Sequence, residues 1–366
     1  MKGLILSGGL GTRLRPLTHT GAKQLIPIAN KPVLHHVIED LASAGIKDVG
    51  IIVGYDKIRI DSIIESIGNG SKFGIKVTYI VQDAPRGLAH AVGIAQEFLG
   101  DEDFVLYLGD NLLKSGIKSC LSDFRRNKPH INLLLAEHNE PHRFGVAVLD
   151  DKGNVIDVEE KPKNPKSNFV ITGVYIFTKE IFNAIKKVKP GLGGELQITD
   201  AIKIFVDDPT KKVIATKVDG WWDDAGTANA ILNANLMVLI DKDLEIKGSV
   251  SSNSVIQGKL GLGKSSIIYD GCYIKGPVII GENCEIGPNT YIGPYTSIGD
   301  GCKIKGGEIE SSIVIGESNI ILEKGDKICD SLIGKGSKIS SRKNLLPMGH
   351  VFVLGENSEL GIWKQF

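Results

Sequence analysis

From residue 250 onward an apolar side chain returns every sixth position: Val250, Ile256, Leu262, Ile268, Ile274, Ile280, Ile286, Ile292, Ile298 and Ile304. Gly281, Gly287, Gly293 and Gly299 follow their isoleucines directly. The small residues Cys284, Thr290, Thr296 and Cys302 stand four positions after the same isoleucines. Such a period asks for short straight segments turned at glycine corners, with the isoleucines stacked inward along a prism and each coil burying its neighbour. The phase slips by one at Ile309 and then runs on through Ile315 and Ile321, which predicts one loop or bulge there. Cys284 and Cys302 lie three repeats apart, so they are expected one coil above the other as small buried side chains, not as a disulfide.

This pattern resembles the hexapeptide repeat of left-handed parallel β-helices. The first two-thirds of the chain has another rhythm. Leu4–Ser7, Val49–Val53, Lys76–Val81 and Phe104–Leu108 read as buried strands. Between them, Val33, Leu34, Val37, Ile38 and Leu41 follow Pro32 at helical spacing, Ile60, Ile63, Ile64 and Ile67 run up to Gly68, and Leu88–Phe98 reads as a third helix. Strands alternating with helices predict a doubly wound, Rossmann-like α/β sheet, parallel or mixed, whose ligands bind beyond the carboxyl ends of the strands. The expected divisions are 1–240 for this domain, 241–345 for the β-helix and 346–366 for a capping tail.

Strand ends therefore carry the functional reading. The first runs straight into Gly8-Gly9-Leu10-Gly11-Thr12-Arg13. Glycines let backbone N–H groups approach a ligand closely, and runs of such groups bind phosphate. With Arg13, Arg15 and Lys23 close by, the loop suits a triphosphate. It is neither a P-loop, which needs Gly-Lys-Ser/Thr, nor the G-x-G-x-x-G fingerprint, whose third glycine position is Leu14. After the third strand comes Gln82, whose amide offers the donor and acceptor that match the N3–H and O4 edge of a pyrimidine, or else caps a loop. After the fourth comes Asp110, placed either to ligate Mg²⁺ beside phosphate oxygens or to cap a helix.

Composition removes other classes. Basic and acidic residues balance at 43 each, so nothing points to nucleic acid or an anionic membrane surface. No apolar run approaches the ~18–20 residues a membrane span needs. Met1-Lys2-Gly3 leads directly into a core strand, and the five cysteines have no metal spacing, so a reduced, cytoplasmic setting is expected. None of the eight histidines lies inside the repeat, which argues against a second, acetyl-transferring activity there and leaves oligomerisation or regulation as its expected role.

The order of the motifs GGLGTRLRPLT, KQLIPIANKP, QDAPRGLAHA, LGDN, FGV, EEKP, TGVY, GELQITDA and WWDDAG resembles the sugar-nucleotide pyrophosphorylases. Within them it is similar to the glucose-1-phosphate thymidylyltransferases, in the long form that appends a β-helix. The resemblance implies Mg²⁺-dependent, in-line attack of a sugar 1-phosphate on the α-phosphorus of dTTP. It implies that Gly8, Gly9, Gly11 and Thr12 cradle the triphosphate, and that Gln24, Gln82 and Gly87 complete the nucleotide site. Arg13, Lys23 and Lys161 would be the catalytic cations. Asp110, Gly145, Glu160, Lys161 and Tyr175 would line the sugar-phosphate pocket, with Asp110 and Asp224 on the metal. It also implies a homo-oligomer. Arg86 departs from the usual small or acidic residue, and Trp221 and Asp223 flank the expected Trp222 and Asp224, leaving the metal register open by one. The alternatives are UTP or N-acetylglucosamine 1-phosphate as substrate, an added acetyl transfer, or an inactive regulatory subunit.

Overall fold

The computed structural model describes residues 1–341, so the expected capping tail 346–366 lies outside the described residues. The chain runs β1 (Lys2–Ser7), β2 (Pro27–Ile28), β3 (Lys31–Pro32), α1 (Val33–Ser43), β4 (Asp48–Val53), α2 (Lys57–Ile67), β5 (Lys76–Val81), α3 (Leu88–Ile94), α4 (Gln96–Leu99), β6 (Phe104–Leu108), β7 (Asn111–Leu113), α5 (Lys118–Asn127), β8 (Ile131–Glu137), β9 (Gly145–Leu149), β10 (Val155–Glu160), β11 (Phe169–Phe177), α6 (Ile181–Ile185), α7 (Ile198–Val206), β12 (Val213–Lys217), β13 (Trp222–Asp224) and α8 (Ala228–Asp241), then short strands only. It forms two compact units. One holds residues 1–11, 20–25 and 33–224; the other holds 12–19, 26–32 and the chain from 225. Among the described residues no helix is long and apolar enough to cross a membrane.

The first unit is built on a nine-stranded sheet in the order β10-β9-β11-β6-β1-β4-β5, with β8 beside β11 and β12 beside β8. The quartet β6-β1-β4-β5 is parallel, as the βα alternation predicts. The other half is mixed, because β9, β10 and β11 follow one another without crossover helices and pair antiparallel. Successive residues of β1 feed opposite faces: Leu4 and Leu6 join one apolar core and Ile5 the other. Both faces are thus covered, which is why β1 reads as an unbroken apolar run. The helix expected over Leu88–Phe98 breaks at Ala95 into α3 and α4. Pro32 pairs with Pro27 in the small hairpin, and α1 opens one residue later, at Val33.

The second unit contains three parallel sheets of short strands, the architecture of a β-helix. Ile286 stacks on Ile304, Ile274 on Ile292 and Ile280 on Ile298, three hexads apart, so each coil has three sides. These isoleucines are completely or almost completely buried. The expected inward positions Ile315 and Ile321 are not the ones used. Val314 and Ile320 are buried, and Ile321 is 44% exposed. The coil shortens twice rather than once. Gly306, Gly307 and Ser311 all take positive φ, and tighter corners there drop one residue on each of two sides. Cys284 and Cys302 are buried on successive coils with free thiols, and the Cys284 thiol donates to the Gly299 carbonyl at 3.2 Å.

Segments from far upstream are built into this second unit. Asn235 of α8 is fully buried. Its Oδ1 accepts from the Ala29 N–H (2.9 Å) and the Ser297 hydroxyl (2.6 Å), and its Nδ2 donates to the Tyr295 carbonyl (2.9 Å). Asn30 donates to the Ile298 carbonyl at 2.7 Å. One buried amide thus ties the 27–32 hairpin, α8 and a β-helix coil together, with its polar atoms satisfied as burial demands.

Candidate active site

The parallel quartet turns the carboxyl ends of β1, β4, β5 and β6 to one sheet edge, where doubly wound sheets bind ligands. The antiparallel half brings its own polar ends to the same edge, since Tyr175 of β11 pairs with Leu106 of β6, Val170 with Val146, and Glu160 with Gly145. Three groups of side chains gather there.

The first surrounds Asp110. The Lys23 ammonium pairs with its Oδ2, and Asn111 Nδ2 donates to its Oδ1 at 3.0 Å. Asn111 Oδ1 accepts from the Trp222 indole N–H at 2.7 Å, and the same N–H lies 3.1 Å from the Thr172 carbonyl. Trp222 is held edge-on by Phe144 and His138. Asp110 leads into β7 rather than a helix, so it is no helix cap. β13 pairs with β7 so that Asp224 faces Asn111, while Asp223 faces Leu112. Neighbouring strand residues point to opposite faces, which separates the two aspartates of the pair. Asp224 thus lies across the β7–β13 pair from Asn111, the residue that follows Asp110, on strands distant in sequence.

The second group lies at the ends of β1, β4 and β5. A Cβ on Gly54 would come within 2.9 Å of the Gly8 carbonyl, so the two strand ends meet backbone to backbone. Gly9 lies beside the Lys23 side chain, close enough that a Cβ there would sit 3.4 Å from its Cε. Gln82 Nε2 reaches the Gly87 carbonyl (3.4 Å) and His90 Nδ1 (3.1 Å). The donor half of the amide expected to read a base is thus engaged by the protein. Gly87 has φ +97° with the Leu196 carbonyl 2.5 Å from where a Cβ would stand, so no other residue fits. Arg86, the departure noted in the sequence, pairs with exposed Asp83. Two buried polar atoms here have no partner among the described residues: Ser7 Oγ at the end of β1 and Gln24 Oε1. Gln24 is 2% exposed and packs behind Gly109. Unpartnered buried atoms are costly, and a bound ligand is one way to satisfy them.

The third group is Gly145, Glu160, Lys161, Tyr175 and Thr199. The Thr199 hydroxyl donates to Glu160 Oε2 at 2.6 Å, and the Lys161 ammonium is 3.8 Å from Oε1. A Cβ on Gly145 would press on both Glu160 and Thr199. Lys161 has φ +44°, a strained backbone for a lysine, fixed by its N–H donating to the Phe144 carbonyl at 3.0 Å. Tyr175 is buried, and burial first, then the Glu160 charge, raises its phenol well above the usual value. It stays a neutral hydroxyl.

Arg13 and Thr12 lie in an exposed 3₁₀ turn, Thr12–Leu14, within the segment that groups with the second unit; Gly11, just before it, has φ +63°. Asn111, Thr199 and His90 touch the candidate residues Asp110, Glu160 and Gln82, and motif reading passed over them. Each sat inside a quoted motif, but only its contact with an acidic or amide side chain marks it out.

A family model described as nucleotidyl transferase matches residues 2–240, and one described as the GMPPB C-terminal domain matches 274–362. The chain is 46% identical to the low-salt glycan biosynthesis nucleotidyltransferase Agl11 of Haloferax volcanii, over 98% of this chain and 99% of that one. It is 44% identical to a glucose-1-phosphate thymidylyltransferase of Streptomyces antibioticus, over 99% of each. Among solved structures, a Bacillus anthracis protein assigned as a glucose-1-phosphate thymidylyltransferase superposes with a TM-score of 0.62 at 36% identity, covering 67% of this chain and 97% of that chain.

Proposed function

This chain belongs to the nucleotidyl transferase family, and within it we propose a glucose-1-phosphate thymidylyltransferase that makes dTDP-glucose and pyrophosphate from dTTP and glucose 1-phosphate. A phosphate oxygen of the sugar phosphate attacks the α-phosphorus, the bond to the β-phosphate breaks, and pyrophosphate leaves with that electron pair. Such transfers depend on positioning and charge neutralisation rather than a protein nucleophile. The observation that carries the reading is the pairing of Lys23 with Asp110 on the same edge as the Glu160–Thr199 couple. One end presents charge for phosphates; the other presents a carboxylate and a hydroxyl for sugar hydroxyls.

In this reading Gly8, Gly9, Gly11 and Thr12 present backbone N–H groups to the triphosphate. Arg13 and Lys23 hold it and stabilise charge on the α-phosphate. Lys161 contacts the sugar phosphate, with Gly145 and Tyr175 shaping the pocket. Gln24, Gln82 and Gly87 sit at the nucleotide. Asp110 and Asp224 would hold Mg²⁺, as hard oxygen donors at the two segments that pair as β7 and β13. Mg²⁺ takes one or two carboxylates and fills its other positions with phosphate and water. When bound it supplies charge neutralisation on the phosphates. Lys23 would share with it the neutralisation of phosphate charge.

Pyrophosphate release should be measured for dTTP, UTP, dCTP, ATP and GTP crossed with glucose, mannose and N-acetylglucosamine 1-phosphates. The expected result is dTTP with glucose 1-phosphate first and UTP roughly 10–200-fold lower, the range one methyl in an apolar pocket supports. Equal rates with UTP would replace the thymidylyl assignment with a general pyrimidine one.

A further inference from the structure

The neighbour of Gln82 settles which way its amide faces. A backbone carbonyl can only accept, so the end of the amide beside the Gly87 oxygen is the NH₂ end. The same nitrogen lies 3.1 Å from His90 Nδ1, which must then accept as well. His90 is therefore neutral with its proton on Nε2. The other end, Oε1, turns toward the glycine loop, 3.2 Å from where a Cβ on Gly8 would stand. The base-reading amide is left with its acceptor outward.

We propose that His90 is a positioning residue that locks Gln82 with its carbonyl oxygen toward the nucleotide, so that the site selects a base with an N–H at the pyrimidine N3 position. Thymine and uracil present that N–H; cytosine presents a lone pair, which meets another lone pair. The proposal rests on the reading of Gln82 as the base contact. It also makes base choice depend on the charge of one imidazole. A proton on Nδ1 sets donor against donor, and the amide must turn or move away. Burial, and then the Arg86 guanidinium, oppose that proton, while Asp83 favours it; these lower the His90 value below the ordinary 6.5. The elements packed on α3 are β1, which carries Lys2, α4, which carries Glu97, α6, which is followed by Lys186, and α7, which carries Asp200 and Lys203. The groups that act on the imidazole charge are Arg86 and Asp83.

The test compares the full chain with His90→Leu, His90→Asn and Gln82→Ala, measuring dTTP and dCTP kinetics between pH 5.5 and 8, with thermal melting as a check on folding. Asparagine keeps an acceptor near the Nδ1 position but does not titrate. His90→Leu should raise the KM for dTTP about tenfold, the cost of one aligned hydrogen bond, with kcat within about twofold, and should narrow the preference over dCTP. His90→Asn should restore the low KM at pH 8 and flatten its rise in acid. The terminal phosphate of dTTP titrates in the same range, so the decisive quantity is the ratio of wild type to His90→Asn at each pH. Wild-type affinity in His90→Leu alongside a weakened Gln82→Ala overturns the His90 proposal and leaves the base reading standing. So does an acid rise in His90→Asn equal to that of wild type. Unchanged dTTP kinetics in Gln82→Ala overturns the base reading itself, and the His90 role with it.

Discussion

The α/β sheet and the β-helix spend their irregular positions differently. In the β-helix, Ile268, Ile286, Ile304 and Ile320 form a buried column, and departures from regular backbone sit at corners such as Asn283, Asn289 and Tyr295. Each corner serves the coil it turns. In the sheet unit some departures lie at the candidate-site edge, namely strained Lys161, the Gly8–Gly54 approach, and unpartnered Ser7 and Gln24, while others, such as Lys128, Asp48 and Thr178, lie at the opposite edge. Repetition marks the part of the chain that holds itself up, and the misfits at the carboxyl edge coincide with the candidate site.

That contrast can be broken by mutation. Lys23→Ala or Arg13→Ala should lower kcat by roughly 10²–10³-fold, as losing a strong charge-stabilising donor does, with the melting temperature close to wild type; steady-state assays and calorimetry on the same preparations check it. Near-normal turnover in either variant would sink the assignment of these cations. Ile286→Ala should do the reverse, costing roughly 2–4 kcal/mol of stability by chemical denaturation through the cavity it leaves. Its kcat should be retained below the transition.

Asn235→Ala tests the joint within the second unit. It strands the Ala29 N–H, the Ser297 hydroxyl and the Tyr295 carbonyl, and should cost about 2 kcal/mol. Proteolysis should then cut first near residues 27–32. The smallest effect concerns Asp157, which Lys166 and Lys203 hold at about 2. A carboxylate depressed in the folded state adds stability above its ordinary 3.8, and this fades as pH falls toward about 2. Asp157→Asn should remove less than about 1 kcal/mol at pH 7, since solvent screens the pair, and should flatten the acid limb of a stability–pH curve.

Much of this was legible beforehand, for identifiable reasons. The inward column from Ile256 to Ile304 follows from a period that has one geometric solution. The phase after Ile309 was misread because two tight corners, at Gly306-Gly307 and at Ser311, act where one slip had sufficed to explain the letters. β1, β4, β5 and β6 were visible because both their faces are apolar. The mixed half of the sheet was less so, because alternating strands such as β10 carry a weaker apolar signal. At the site, the glycine loop, Lys23 and Asp110 show in the sequence because their chemistry is concentrated in short motifs. The Lys23–Asp110 pair, the Thr199–Glu160 bond and the Gln82–His90 bond join residues whose partnership only folding creates.

The buried amide of Asn235 has a consequence for how the molecule is made. A ribosome delivers residues 27–32 early, yet the groups that fasten them, at 235 and 295–298, come more than 200 residues later. Loop closure over such a distance is slow. The nascent hairpin must wait unfastened while the rest of the chain emerges. A ribosome-stalled chain ending before residue 295 should therefore leave that hairpin open to protease even where the sheet has already formed.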